Sequence, residues 1–443
     1  MILRGFLTLF FVLFSIGASA QGKFVLQGGK SDKINFQLIN NLIVFPVEVN
    51  GVELSFLLDT GVSKPIIFNF LNINEALKIN QAERIYLRGL GEGEPVEALK
   101  SRQNIFKIGN ALNLSQDLYA IFDPNLNFAP RLGVPIHGII GYDFLKDFVV
   151  EVNYSKRIIK LNKPETYKPK KCKSCVTLPL SFFNNKPYIE SEVSLKGNDI
   201  PVKLLIDSGS SDAVWLFSDH ERQITVPEKN FEDFLGRGLS GKVFGKRAKI
   251  DKYTIGGFEM KRVNAAFPDS VAINFARKFK ERNGSIGGNI LKRFNLIFNY
   301  GKNEVTIKRN RNFTLPFYYN KSGIELEHDG VRLVKEVNKN IELNPRGTDN
   351  QSVAQQGMIF TGTYKYSLAP SFAIVEIREG SPAERAGLQL GDVILSINNR
   401  HAHTYSMQEV IQLFYDETGK RIKLLVDRKG NQMMFEFRLE DLL

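Results

Sequence analysis

The chain has 443 residues, of which 43% are hydrophobic, and this length fits about three domains of ordinary size. Its formal net charge of +12 raises the question of nucleic-acid binding. The basic residues are scattered, however, and no recognition-helix, zinc-finger or ribonucleoprotein motif accompanies them. We therefore expect no nucleic-acid partner and attribute the charge to a solvated surface.

Residues 1–20 have the pattern of a secretory signal peptide. Arg4 supplies the positive start, Phe6 to Ile16 form an apolar core, and Ala18-Ser19-Ala20 is a small-residue cleavage site. The apolar core is shorter than the roughly 20 residues that a transmembrane helix needs, which favours cleavage over a retained anchor. The sequence therefore predicts an exported protein, either periplasmic or secreted.

Residues 21–168 predict a first β lobe. A hairpin turns at Asn50-Gly51, and its second strand ends in the apolar run Phe56–Leu58, directly before Asp59-Thr60-Gly61. A lone buried carboxylate loses its hydration, so an Asp at this position needs hydrogen bonds or a second carboxyl that shares a proton with it. One such triplet is weak evidence, since strands also end in polar turns. His137, further on, is interpreted as a structural histidine.

The same features return in residues 169–314, which predict a second lobe. The apolar run Leu204–Ile206 is followed by Asp207-Ser208-Gly209. Three pairs of landmarks keep nearly one spacing, namely 148 residues from Asp59 to Asp207, 149 from Arg88 to Arg237 and 146 from Gly141 to Gly287. This repetition indicates a duplicated domain. Two adjacent carboxyls cannot both ionise, so one can polarise a carbonyl while the other takes a proton from water.

These motifs resemble the aspartic peptidases of the retropepsin and pepsin kind over roughly residues 33–310. The resemblance implies a mainly β fold with two pseudo-symmetric lobes, and Asp59 and Asp207 as the catalytic pair. The residues implied to support that pair are Thr60, Gly61, Ser208 and Gly209. The residues implied to form the two flaps are Gly89, Leu90, Gly91, Gly238, Leu239 and Ser240. The sequence departs from the pepsins in lacking a clear flap tyrosine, for which Tyr86 is the nearest candidate.

Glycine-rich segments such as these flaps also occur in phosphate-binding loops. A phosphate cradle would need a following Lys-Ser/Thr and a strand-to-helix context, and Glu92 and Glu94 would repel phosphate. We therefore expect no nucleotide and no other cofactor. Asp212 is interpreted as a surface or helix-capping group.

Cys172 and Cys175 are the only two cysteines and lie between the predicted lobes. In an exported protein a Cys-x-x-Cys pair favours a small disulfide. A redox-active pair would need a thioredoxin-like context, and a zinc site would need four ligands, whereas the chain has five histidines and no second cysteine pair. We predict a disulfide at this junction and no metal site.

Residues 315–443 predict a third domain, with an insertion near 338–370. Ser381-Pro382 begins a short helix that Gly387 ends, a turn and strand follow, and Met407–Tyr415 predicts an amphipathic helix. The run Arg378–Asn398 resembles a PDZ domain. PDZ domains bind peptide C-termini by strand addition, with the carboxylate held by backbone amides. The residues implied to hold it are Ser322, Gly323, Ile324, Glu325 and Leu326. A docking domain without a peptide ligand is the alternative.

These expectations combine into an aspartic endopeptidase that acts on peptides or proteins through an activated water, with a PDZ module that recruits or regulates substrate. The alternative from another class is an inactive peptidase-like scaffold that binds peptides through its groove and PDZ domain. A second alternative pairs each lobe with another chain. The short linker between Leu161 and Val176 favours pairing within one chain, and hence a monomer.

Overall fold

The computed structural model of the protein describes residues 22–68, 77, 82–123, 126–337 and 364–443. The predicted signal peptide and residues 338–363 of the predicted insertion lie outside these ranges. The chain divides into two compact units, one with Met1–Phe128, Pro135–Tyr318 and Leu443, the other with Ala129–Val134 and Tyr319–Leu442. Among the described residues, no helix is long and apolar enough to cross a membrane.

The first lobe is mainly β, in agreement with the predicted fold class. Its strands are β1 (Val25–Leu26), β2 (Ser31–Asn35), β3 (Gln37–Ile39), β4 (Leu42–Val49), β5 (Val52–Leu58), β6 (Ile66–Ile67), β7 (Glu83–Leu87), β8 (Val96–Ile108), β9 (Ala111–Ile121), β10 (Gly138–Ile140), β11 (Val149–Asn153) and β12 (Ile158–Asn162). Within the described part of this lobe, α1 (Ala129–Leu132) and α2 (Tyr142–Leu145) are one-turn helices. Nine strands form one sheet, in which β10 pairs in parallel with β5.

The second lobe repeats this plan. Its elements are β13 (Cys175–Pro179), β14 (Ser181–Phe183), β15 (Lys186–Leu195), β16 (Asn198–Ile206), β17 (Val214–Leu216), β18 (Asn230–Gly238), β19 (Gly241–Ile255), β20 (Phe258–Pro268), β21 (Gly284–Ile286), α3 (Gly288–Leu291), β22 (Phe294–Asn299) and β23 (Glu304–Arg309). Here β21 pairs in parallel with β16, as β10 does with β5. In each lobe, the strand that ends at the Asp triplet therefore pairs in parallel with a strand from later in the same lobe.

A third sheet joins the lobes. Its order is β13-β23-β22-β11-β12-β2, and the antiparallel contact of β11 with β22 runs from Val149 opposite Asn299 to Asn153 opposite Asn295. One hydrophobic core, which contains both Leu58 and Ile206, extends through both lobes. The lobes therefore pair within one chain and share buried apolar surface.

The C-terminal domain has its own core. Its elements are β24 (Ile324–Val337), β25 (Tyr364–Ile377), α4 (Pro382–Arg385), β26 (Val393–Ile397), β27 (Arg400–His401), α5 (Met407–Phe414), β28 (Arg421–Arg428) and β29 (Asn431–Arg438). The sheet order is β24-β25-β26-β28-β29, with β27 beside β26. The part of the predicted insertion at 364–370 is therefore strand.

Single 3₁₀ turns lie along the described chain at Pro164–Thr166, Val271–Ile273, Ala276–Lys278, Tyr300–Lys302 and Ala402–Thr404.

Local sequence signals explain where the two helices of the C-terminal domain, α4 and α5, begin. Ser406 caps α5 through a capping box, in which its side chain accepts from Glu409 N and the Glu409 carboxylate accepts from Ser406 N. Ser381 caps α4 in front of Pro382, whose missing N–H costs nothing at the first helical position. These are the starts that the sequence predicts.

Candidate active site

Asp59 and Asp207 occupy equivalent positions directly after β5 and β16. Each backbone N–H is held by the strand that lies behind it: Asp59 N donates to Ile140 O, and Asp207 N donates to Ile286 O, both at 2.9 Å. The parallel pairing of the motif strands with β10 and β21 therefore positions the two aspartates in the same way.

The residues after the aspartates tie the two loops together across the lobes. The Thr60 hydroxyl donates to Ile206 O at 2.6 Å and accepts from Ser208 N at 3.0 Å. The Ser208 hydroxyl donates to Leu58 O at 2.7 Å and accepts from Thr60 N at 3.0 Å. Both side chains are buried, so each hydroxyl satisfies backbone groups that water cannot reach.

The two glycines keep space for the carboxyls. A Cβ on Gly209 would lie 2.5 Å from Asp59 Oδ2, and a Cβ on Gly61 would lie 3.0 Å from Asp59 Oδ1 and 3.6 Å from Asp207 Oδ1. Their amides also bind the aspartates, since Gly61 N donates to Asp59 Oδ1 at 2.7 Å and Gly209 N to Asp207 Oδ1 at 3.2 Å. The structure therefore brings all six predicted motif residues into one site.

The two carboxyls differ in their electrostatic surroundings. Burial and the neighbouring Asp207 raise the pKa of Asp59 to about 7. Burial also raises the pKa of Asp207, but Arg282 opposes this rise, and Lys186 opposes the rise at both carboxyls. The pair thus favours a state with a single proton, in which Arg282 favours the charge on Asp207. Such a site can donate a hydrogen bond and accept a proton at the same time.

Two cationic residues beside this pair, Lys186 and Arg282, were not identified from the sequence. Burial lowers the pKa of Lys186 and of Arg282, while Asp207 acts to raise both. Arg282 Nε donates to Gly284 O at 3.0 Å, and its guanidinium carbon lies 5.1 Å from the centre of the Phe217 ring. Both residues lie far from either triplet in sequence, and no local motif marks them.

The two predicted flaps meet at their tips. The first is the loop between β7 and β8, and the second is the Leu239-Ser240 turn between β18 and β19. Ser240 N donates to Leu90 O at 2.9 Å, Gly93 N to Ser240 O at 2.6 Å, and Gly89 N to the Ser240 hydroxyl at 3.1 Å. Tyr86 does not join them, because its side chain is 67% exposed.

The prediction that Asp212 is a surface or helix-capping group is wrong. Its carboxylate accepts from Trp215 Nε1 at 2.7 Å and from Arg247 Nη1 at 2.9 Å. Arg247 also donates to Asp233 Oδ2 at 2.6 Å, on the neighbouring flap strand. Asp212 therefore connects the loop after Asp207 to the base of the second flap.

The residues predicted to hold a peptide carboxylate lie at the start of β24. Asn320 Oδ1 accepts from Ser322 N at 3.0 Å and from Gly323 N at 3.2 Å. The Ser322 hydroxyl accepts from Ile324 N at 3.0 Å. Three amides of this loop thus donate to side chains of the same loop.

Cys172 and Cys175 are joined by a disulfide, as expected for the junction between the lobes. Over the described ranges, no group of three or more His, Cys, Asp or Glu side chains is arranged to hold a metal ion.

The fold and the paired triplets are similar to those of two-lobed aspartic peptidases, and a C-terminal domain follows them. The family model described as aspartyl protease matches residues 45–144 and 192–290, and the PDZ domain model matches residues 374–428. The chain therefore contains an aspartyl protease domain in two segments and a C-terminal PDZ domain. No curated protein matches the chain.

Replacing Thr60 by Ala should lower the free energy of unfolding by about 1–3 kcal/mol, because Ser208 N and Ile206 O lose a buried partner. Thr60→Ser keeps the hydroxyl and should cost less. Urea unfolding measures both. The control is Thr177→Ala, whose hydroxyl bond to Thr306 is exposed and should matter by less than about 0.5 kcal/mol. Equal losses for Thr60→Ala and Thr177→Ala would contradict the structural role of the cross-bonds.

Replacing Asp59 by Asn should make stability less dependent on pH. The pKa of Asp59 rises from its ordinary 3.8 to about 7 on folding, so its favourable contribution is complete at low pH and is lost as the pH rises through about 7. Thermal unfolding should therefore show Asp59→Asn more stable than the wild type near pH 8, by on the order of 1.4 kcal/mol per pKa unit, and similar to it near pH 4. Asp269→Asn, at an exposed site, is the control. A pH-independent difference would refute the raised pKa.

Proposed function

We propose that the protein is an aspartic endopeptidase. The observation that carries this proposal is the pair of equivalent loops, cross-bonded by Thr60 and Ser208, that brings Asp59 and Asp207 into one buried site. Two buried carboxyls lower stability at neutral pH, and proton sharing during catalysis is the use that balances this cost.

In the proposed reaction, water attacks the scissile carbonyl without a covalent intermediate on the enzyme. Asp207 is the ionised partner, because Arg282 favours its charged form whereas Lys186 favours the charged form of both aspartates, and Asp207 takes the proton from water. Asp59 holds the proton and donates a hydrogen bond to the carbonyl oxygen. The proton that Asp207 receives then passes to the leaving amine, and Asp59 is left ready for the next cycle.

A cavity of about 550 Å³ is lined by residues of both flaps, although not by Asp59 or Asp207, and it supports a flap-lined groove as the place where an extended peptide binds. Its walls come from both flaps and from the loop after β9, and they include Val96, Leu99, Phe122 and Leu239. This size is within the usual range for ligand pockets. Hydrogen bonds between Leu90, Gly93 and Ser240 join the two flap tips, so we propose that they separate when substrate enters.

The PDZ domain and the N-terminal segment complete the proposal. A PDZ domain binds peptides in general, and we propose that it recruits or regulates substrates of the peptidase. The basic start, apolar core and Ala18-Ser19-Ala20 site support export to the periplasm or the outside of the cell.

Asp59→Asn and Asp207→Asn should each abolish hydrolysis of a fluorogenic peptide library, because each removes one half of the proton-sharing pair. Circular dichroism and urea unfolding should show that both variants remain folded. Asp219→Asn, which alters an exposed turn carboxylate, is the matched control and should retain activity. Full activity in either dyad variant rejects the catalytic assignment. A wild type that binds peptides but cleaves none would favour the inactive scaffold.

The rate should depend on pH through two ionisations that belong to the pair. Activity should fall on the alkaline side as the proton on Asp59 is lost near pH 7, and on the acid side as Asp207 is protonated. Lys186→Met should move the acid limb to higher pH, since it removes a positive charge that favours ionised Asp207. Profiles of kcat/KM against pH measure both effects. A rate that climbs steadily into the alkaline range is incompatible with this mechanism.

A further inference from the structure

The edge strand of the PDZ sheet is the place where strand addition would occur. Among the residues that the structure describes, β24 pairs only with β25, and α5 contacts it. Strand addition by a peptide requires an edge whose N–H and C=O groups are accessible. The groove between β24 and α5 is therefore the surface that an extended peptide would use.

Residues 129–134, here called the internal segment, contact the first wall of this groove. They come from the loop between β9 and β10, and their helix α1 packs against β24. Arg131 Nε lies 2.5 Å from Glu327 Oε1, and Arg131 Nη2 lies 3.9 Å from Glu376 Oε1. All three side chains are partly buried, which reduces solvent screening of these charges.

The same segment contacts the second wall, at the start of α5. Gln408 Nε2 donates to Leu132 O at 3.3 Å, and the Leu132 side chain is only 8% exposed. A Cβ on Gly133 would lie 2.6 Å from Met407 Cβ and 3.5 Å from His328 Nε2. Gly133 also has φ of +70°, which glycine adopts readily. The segment thus fits closely between the two walls.

We propose that the internal segment is an intramolecular ligand of the PDZ groove, so that an external peptide binds there only by displacing it. The walls define the chemistry of that peptide: a basic side chain to replace Arg131 between Glu327 and Glu376, followed by an apolar side chain in the place of Leu132. Because the segment is covalently attached, it competes at an effective concentration on the order of millimolar. Only a peptide that binds more tightly than the segment can occupy the groove at lower concentrations.

Displacement would act on the peptidase through the chain itself, a consequence that rests on the proposed function. Four residues after Val134 the chain enters β10 at Gly138, and Ile140 of this strand accepts the hydrogen bond from Asp59 N. Three residues before Ala129, Leu126 lines the cavity between the flaps and the loop after β9. Release of the segment therefore frees a loop that leads at one end to the strand behind Asp59 and at the other to this cavity, and external peptides gain a means to change the activity.

Hydrogen–deuterium exchange of the full chain tests the intramolecular contact without any measurement of hydrolysis. Arg131→Glu opposes two carboxylates, so backbone exchange across residues 129–136 should become about tenfold faster or more. The double variant Arg131→Glu/Glu327→Arg should recover slow exchange. Arg421→Glu, which breaks an ion pair elsewhere in the PDZ domain, is the control and should leave this region unchanged. Unchanged exchange in Arg131→Glu overturns the proposal.

A binding experiment tests the displacement. The probe is a fluorescein-labelled peptide with the sequence of residues 127–134. Arg131→Glu releases the segment and keeps the acidic wall, so it should bind the probe at least about tenfold more tightly than the wild type does. Glu327→Arg releases the segment but destroys the wall, and should bind the probe weakly. Equal binding by wild type and Arg131→Glu, or no binding by Arg131→Glu at millimolar probe, overturns the proposal. Neither readout uses hydrolysis, so an inactive protein would reject the proposed function and leave this result intact.

Discussion

The reciprocal hydrogen bonds of Thr60 and Ser208 are the constraint on which the rest of the site depends. Each hydroxyl reaches across to the backbone of the opposite lobe, at Ile206 and Leu58, so neither motif loop is complete without the other. Because all of these groups are buried, a shift of one loop would leave several polar groups without partners. The close approach of the two carboxyls, which is costly in itself, is thus enforced by the frame beneath them.

The two loops that carry Asp59 and Asp207 were predictable from the sequence, because the repeated motifs occur in the same order and at nearly the same spacing. The residues at the flap tips were predictable for the same reason. Arg282 and Arg247 were not predictable in this way, because a single charged residue at a distance in sequence has no local pattern. Asp212 was interpreted wrongly for a related reason: its neighbours in sequence suggest a cap, whereas its partners Trp215 and Arg247 lie on strands of the folded lobe.

The duplication extends to backbone details that the sequence does not reveal. His137 N donates to Ser55 O at 2.8 Å, and Asn283 N donates to Lys203 O at 2.9 Å. In return, His137 Nδ1 accepts from Ser55 N at 3.1 Å, and Asn283 Oδ1 accepts from Lys203 N at 2.8 Å. Burial lowers the pKa of His137, which suits a neutral acceptor. His137 and Asn283 therefore perform the same structural role, because each holds the start of the strand that lies behind an aspartate. His137 is structural, as expected.

The residues directly before these two anchors break the symmetry. Ile136 in the first lobe is buried and apolar, whereas the equivalent Arg282 in the second lobe is a buried cation that favours the ionised form of Asp207. A symmetric pair would divide one proton equally, but a charge on one side alone leaves the proton with Asp59. The preceding loops differ as well, since only the first contributes residues 129–134 to the unit that contains the PDZ domain. The duplicated loops thus determine where the carboxyls lie, and the loops that differ between the lobes give the two carboxyls different electrostatic surroundings and place residues 129–134 of the first lobe in the unit that contains the PDZ domain.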